Sequence, residues 1–278
     1  MPDHIKQTLV SIYQQYPREI QQAFCEIKKV FIATGDSTVA AIAEYYYDPA
    51  TVKIRPGGKH PRFSGTPTGF ILQINEKHRF NNETAAASLT RVFQARCGAF
   101  SDQSSLPVAD YQTPFAETGA LATTIVHELG HMLARAHKVT STYFLPASEG
   151  PWSKLSFRLV GGDFQLRHAE PGYGESLRFK LLSNEDVELT IELFKKTGIA
   201  TLYGGYSPQE DFAEFFRLTY YDNLKWQVKG EVILDLAKEI ASNPAFLAKK
   251  EIIRKLMALP EPFSLKNRGV VSGEIGPM

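Results

Sequence analysis

His127-Glu128-Leu129-Gly130-His131 combines residue types and a spacing that can do metal chemistry. Two histidines four residues apart sit about 40° apart around a helix axis, so both rings can reach one ion. Glu128 adjoins the first of them, where its carboxylate can take a proton from a metal-bound water. The flanking Leu121, Ile125, Val126, Leu129, Met132 and Leu133 are apolar, as suits a buried helix. The expected cofactor is one catalytic Zn2+, held in part by His127 and His131 with Glu128 as base. The plain alternative is a coincidental polar pair on a helix surface.

A catalytic zinc takes three protein ligands and keeps one position open, so a third ligand must come from elsewhere. His137 is one source, because HELGHMLARAH follows the metzincin string HExxHxxGxxH at every place but one. Ala134 stands where that string has a glycine to break the helix, and alanine is the best helix former. A helix that continues through Ala134 turns His137 roughly 120° away from the direction of His131. The Met-turn of that class also has no match, since Met257 alone lies between Met132 and Met278, inside a helical pattern. His137 then reads as a solvent-facing residue near a helix C-terminus.

The second source is the run Ser207-Pro208-Gln209-Glu210-Asp211-Phe212-Ala213-Glu214-Phe215-Phe216-Arg217. Glu210 and Glu214 share one helix face among apolar neighbours. Two carboxylates there are costly to bury unless they are paired or bind a cation. One of them serves as zinc ligand and the other as acceptor for a ligand imidazole N–H. Asp211 stays open as a further candidate ligand. Ser207-x-x-Glu210 is also a capping box, which needs no metal.

An HExxH helix followed by a helix reading Glu-x-Phe-Ala-Glu resembles the gluzincin peptidases of the anthrax lethal factor type, which include proline-directed secreted endopeptidases. The resemblance covers residues 113–138 and 203–222. It implies Glu210 as the third zinc ligand beside His127 and His131. It also implies a tyrosine near the metal seven residues before that Glu, which is Tyr203 here, with Tyr206 as the alternative phenol. The implied activity is zinc-dependent endopeptidase cleavage of one or few proteins, and the implied setting is a secreted effector or toxin. His131 and Glu210 stand further apart than a compact member of that family would have them. A hairpin and loop over 152–174 account for the extra length, either shaping substrate choice or lying on the surface without a role. Two rival readings are a metzincin-like peptidase using His137 and a non-catalytic, zinc-stabilised binding or regulatory protein. The intact base Glu128 and the lack of nearby cysteines weigh against the second.

The whole chain sets the bounds. It has 278 residues, 43% hydrophobic and 22% charged, with 31 basic against 30 acidic side chains. A net charge of +1 offers no electrostatic case for nucleic acid or an anionic membrane surface. Cys25 and Cys97 are the only cysteines and do not form a disulfide framework. The first twenty residues carry no continuous apolar h-region, and no stretch has the apolar length of a membrane span. The expectation is a soluble protein, cytoplasmic or exported by a signal-independent secretion system.

The elements that must position these residues are expected as an α+β, zincin-like metallopeptidase fold. It has a small mixed sheet, an active-site helix and a mainly helical C-terminal half. Residues 1–110 supply the N-terminal helix and sheet. Residues 111–278 supply the HExxH helix, the hairpin insertion and the helical part with the third ligand, in one continuous catalytic domain. Residues 3–30 read as helix interrupted at Pro17, Thr38–Tyr47 and Phe70–Ile74 as strands, and Gly57–Pro61 and Gly65–Gly69 as loop. Further helices are expected over Asn81–Phe100, from Thr113-Pro114 to Lys138, over Asn184–Lys196, and from Ser207 to Tyr221. Glu231–Ala241 and Pro244–Leu259 read as two more, with Lys249, Lys250, Arg254 and Lys255 on a solvated face. Lys154–Leu159 and Phe164–His168 read as a hairpin through Gly161-Gly162-Asp163. A peptide substrate is expected to lie extended along Phe70–Ile74 and Asn75 as an added strand.

Overall fold

Ile5, Thr8 and Ile12 recur at helical spacing and form the buried face of α1 (Asp3–Gln15) in the computed structural model of the protein. The structure describes residues 1–16, 18–33, 41–47, 50, 53–55, 62–64, 67–75, 108–110, 119–136, 150–161, 163–168, 192–199, 201, 203–220, 225–228 and 230–257. The expected Asn81–Phe100 helix, the Thr113-Pro114 start, His137, Cys97, the Pro171–Gly174 loop and the tail beyond Pro260 lie outside those residues.

After Pro17 the chain forms α2 (Arg18–Phe24), and there the helical expectation ends. Ile27–Ala33 is strand β1. Ile27 and Val30 fit a helical period, but the run Val30-Phe31-Ile32 also suits a strand, and a partner strand decided between them. Strands β2 (Ala41–Tyr47), β3 (Lys53–Arg55), β4 (Arg62–Ser64) and β5 (Pro67–Asn75) follow. β1 runs parallel to β5, and β2 pairs antiparallel on the other side, giving the order β1-β5-β2. Phe70–Ile74 therefore cannot offer an edge to a peptide, because both sides of that strand are already paired. Among the described residues the outer strands of this sheet are β1 and β2.

Pro67–Gly69, expected as loop, belongs to β5. Gly69 meets a close approach, since a Cβ there would lie 2.5 Å from the Glu26 carbonyl oxygen. The Phe70 amide donates to that same oxygen at 2.9 Å.

Beyond the sheet come β6 (Val108–Asp110), the long helix α3 (Gly119–Ala136) and the short turn α4 (Ser153–Ser156). Strands β7 (Phe157–Val160) and β8 (Asp163–Leu166) form an antiparallel pair, with Gly161 at φ +61 in its turn. Residues 154–156 are thus helical rather than strand. Trp152, Phe157 and Leu166 are buried, so the root of the expected surface insertion is part of the interior. Residues 192–197 are helical and end at Gly198, whose φ of +71 suits a glycine C-cap.

A single 3₁₀ turn, Gly204–Tyr206, leads into α5 (Pro208–Tyr220). β9 (Lys225–Val228) and β10 (Glu231–Asp235) then pair, with β6 on the other side of β9. The expected helix from Glu231 begins only at α6 (Leu236–Ser242), followed by α7 (Pro244–Leu256). Val232-Ile233-Leu234 is apolar enough for either state, and the turn at Gly230 (φ +85) folds it onto β9. The Asp235 side chain then caps α6 by accepting from the Lys238 amide at 3.2 Å.

α3 packs on α5 along one side and on α1 and β2 along others. Leu72 and Ile74 from β5, Ile125 and Leu129 from α3, and Phe212 and Phe216 from α5 share one core. Each such side chain contributes about 1.5–3 kcal/mol by burial. Among the described residues no helix is long and apolar enough to cross a membrane.

Candidate metal centre

α3 is apolar on nearly every side, and its only ionisable groups in the buried middle are His127, Glu128 and His131. The helix runs unbroken through Ala134 to Ala136, so the turn that a third ligand at His137 would require is absent up to that point. The two imidazole rings stand edge to face with centroids 4.7 Å apart.

The partner helix α5 starts at Ser207, whose hydroxyl accepts from the Glu210 amide at 3.2 Å. The cap is real, but the Glu210 carboxylate does not close the box. It reaches α3 instead, with Oε2 at 3.2 Å from His127 Nε2 and 3.3 Å from His131 Nε2. That oxygen is buried and receives no other hydrogen bond among the described residues.

A tetrahedral zinc with bonds of ~2.0–2.1 Å separates its ligand atoms by about 3.3 Å. An octahedral ion of magnesium type would need about 2.9 Å. The two separations from Glu210 Oε2, 3.2 and 3.3 Å, are compatible with a tetrahedral ion, and a donor set of two imidazoles and a carboxylate is of zinc type.

The other two acidic residues of α5 do different work. Glu214 Oε1 lies 2.7 Å from His127 Nδ1, on the side of the ring away from Glu210, and so leaves Nε2 facing Glu210. Its Oε2 accepts from the Arg217 guanidinium and, at 2.8 Å, from the Thr201 hydroxyl. Asp211 points to a separate cluster, accepting from Lys249 Nζ at 2.7 Å and from Trp152 Nε1 at 2.8 Å. Of the three carboxylates weighed as third ligand, only Glu210 converges on the histidines.

Electrostatics match the geometry. Burial opposes protonation of His127, yet the Glu210 and Glu214 carboxylates outweigh it and raise the ring to about 9. Burial likewise opposes ionisation of Glu210, and the two histidines hold it well below the usual range.

Glu128 is buried and its Oε2 accepts from the Ala43 amide at 2.7 Å. Burial raises its carboxyl above the ordinary value, although both histidines and that amide pull the other way. An amide of β2 that points at Glu128 points away from β5, so the outer hydrogen-bonding positions of β2 face the site. Tyr203, just before the 3₁₀ turn, sets its ring 5.5 Å from that of His127. The side chain of Tyr206 lies outside the described residues.

Gly130, between the two histidines, permits this meeting of helices. A Cβ there would lie 2.8 Å from Ala213 Cα and 3.2 Å from Phe216 Cβ. Gly130→Ala adds about 1 kcal/mol of helix propensity, but overpacking a helix crossing costs about 1–3 kcal/mol. The obstacle is backbone, so the helices must part. We expect net destabilisation in urea together with weaker zinc binding in a chelator competition; an unchanged zinc affinity would show that the crossing tolerates the methyl group.

Sequence reasoning missed Ala43, Thr201, Trp152 and Lys249. The first acts through its backbone, and no motif marks the next two. Lys249 was expected on a solvated face but is fully buried. Its signal was its phase, because it shares the buried side of α7 with Phe246 and Ile253. No protein-family model, curated protein or solved structure matches the chain.

Proposed function

We propose that the protein is a zinc-dependent endopeptidase of the gluzincin clan, similar to the anthrax lethal factor branch, on a zincin-like α+β fold. The observation that supports this best is the convergence of His127, His131 and Glu210 on one point, with Glu128 on the same turn as His127. Zinc bound there would supply an acidified water and an electrophile for the substrate carbonyl. Glu128, oriented by the Ala43 amide, takes a proton from the attacking water and returns it to the leaving amine. The Tyr203 phenol donates a hydrogen bond to the developing oxyanion. An extended peptide pairs along the outer side of β2, where the Ala43 amide already faces the base. Narrow specificity, and action as a secreted effector on one or few proteins, rest on the resemblance alone.

The test is zinc content per chain, measured side by side for the parent and Glu210→Ala. The expected outcome is about one zinc in the parent and clear loss in the variant, as a three-ligand site implies. Equal zinc in both would remove Glu210 from the ligand set. A folded parent without zinc affinity would sink the proposal as a whole.

A further inference from the structure

Thr201 is buried and its one hydroxyl serves two partners. It donates to Glu214 Oε2 at 2.8 Å and accepts from the Gly204 amide at 3.0 Å. Glu214 reaches His127 Nδ1 with its other oxygen at 2.7 Å. Gly204 is the residue after Tyr203, so a buried chain of two hydrogen bonds and one close ion-pair contact runs from the tyrosine turn to the His127 ring. The turn is also seated closely on α5, since a Cβ at Gly204 would lie 3.4 Å from Asp211 Cα and 3.5 Å from Glu214 Cβ.

We propose that Thr201 is a positioning residue. It locks the Tyr203 turn to the Glu214 carboxylate, so that the phenol and His127 keep one fixed relation. A hydroxyl is needed because the position must donate on one side and accept on the other, which valine of the same shape cannot do. Removing it leaves the Gly204 amide buried without its acceptor and frees the turn to shift. The inference rests on the peptidase reading for its consequence in catalysis, but not for its consequence in structure.

The test compares Thr201→Val with Thr201→Ser, each alone and in a Tyr203→Phe background. In metal-free protein labelled with ring-13C tyrosine, Thr201→Val should shift the Tyr203 resonance, identified by its loss in Tyr203→Phe. Thr201→Ser should leave it in place. With zinc and a cleaved peptide, Thr201→Val should lower kcat about tenfold at unchanged KM, and Thr201→Ser should restore it. In the Tyr203→Phe background Thr201→Val should add no further loss, because both act through the same phenol. An unmoved Tyr203 resonance in Thr201→Val overturns the proposal, and so do losses that multiply in the double variant. A moved resonance in a protein that cleaves nothing would uphold the positioning role and refute the peptidase reading instead.

Discussion

Glu128→Gln is expected to bind zinc as the parent does and to lose peptide cleavage by about 10²–10⁴-fold. The carboxamide has nearly the same shape, and its oxygen can still accept from the Ala43 amide, which now meets Glu128 Oε2 at 2.7 Å. What disappears is the ability to take a proton. His127, His131 and Glu210 are untouched, so metal content separates loss of chemistry from loss of the site. Burial also raises the Glu128 carboxyl, meaning that its charge is costly where it stands. The glutamine variant should therefore melt at or above the temperature of the parent, a sign that the group is kept for activity rather than stability. Retained cleavage in this variant, measured on a peptide library with zinc content in parallel, would remove Glu128 from the mechanism.

Lys249→Met should be the most damaging single change to stability, at about 3–5 kcal/mol. Out of a total of roughly 5–15 kcal/mol, that is enough to unfold a marginal chain. Lys249 Nζ is fully buried and donates to both Asp211 oxygens and to the Gly198 carbonyl, each at 2.7 Å. It also lies over the Trp152 ring, 5.1 Å from its centroid. Burial lowers the lysine and raises the aspartate from their ordinary values, so each ion depends on the other to remain charged. Methionine fills the space of the lysine stem but leaves Asp211, among the described residues, with the Trp152 indole as its one side-chain donor and Glu214 as a like charge nearby. Adding Asp211→Asn removes that stranded charge and keeps an acceptor for Trp152, so the double variant should recover most of the loss. Urea midpoints of the three proteins decide the matter. A single-variant cost below about 1 kcal/mol would mean that the pair is worth no more than a solvated one.

The pair also bears on the metal centre, because Asp211 follows Glu210 on α5. α7 thereby grips the first turn of the helix that delivers the third ligand candidate. The run of Lys249, Lys250, Arg254 and Lys255 looked uniform as sequence. Helix phase puts Lys249 on the side of Phe246 and Ile253, apart from the less buried Lys250, Arg254 and Lys255, and the carboxylate that pairs with it there is thirty-eight residues away.

Local spacing determined what lies within one helix turn. His127, Glu128 and His131 are grouped by the period of α3, and Ser207 caps α5 through its own hydroxyl, so both were legible in the chain. Glu210, Asp211 and Glu214 were legible as a set but not as roles, since helix phase alone offers three carboxylates within one turn. Their roles follow from which side chain each one meets: the histidines of α3, or Trp152 and Lys249. The strands β1 and β10 escaped for a related reason: apolar residues at helical spacing became strands once β5 and β9 supplied the missing hydrogen-bond partners. Phe70–Ile74 lost its expected free edge, and the proposed docking edge is on β2 instead, because the order of strands is a property of the sheet, not of any one segment. The sequence by itself determined a set of zinc-type donors on two amphipathic helices. The tertiary structure decided their convergence, through the close crossing at Gly130 and Ala213 and the buried contacts that fix the rotation of α5.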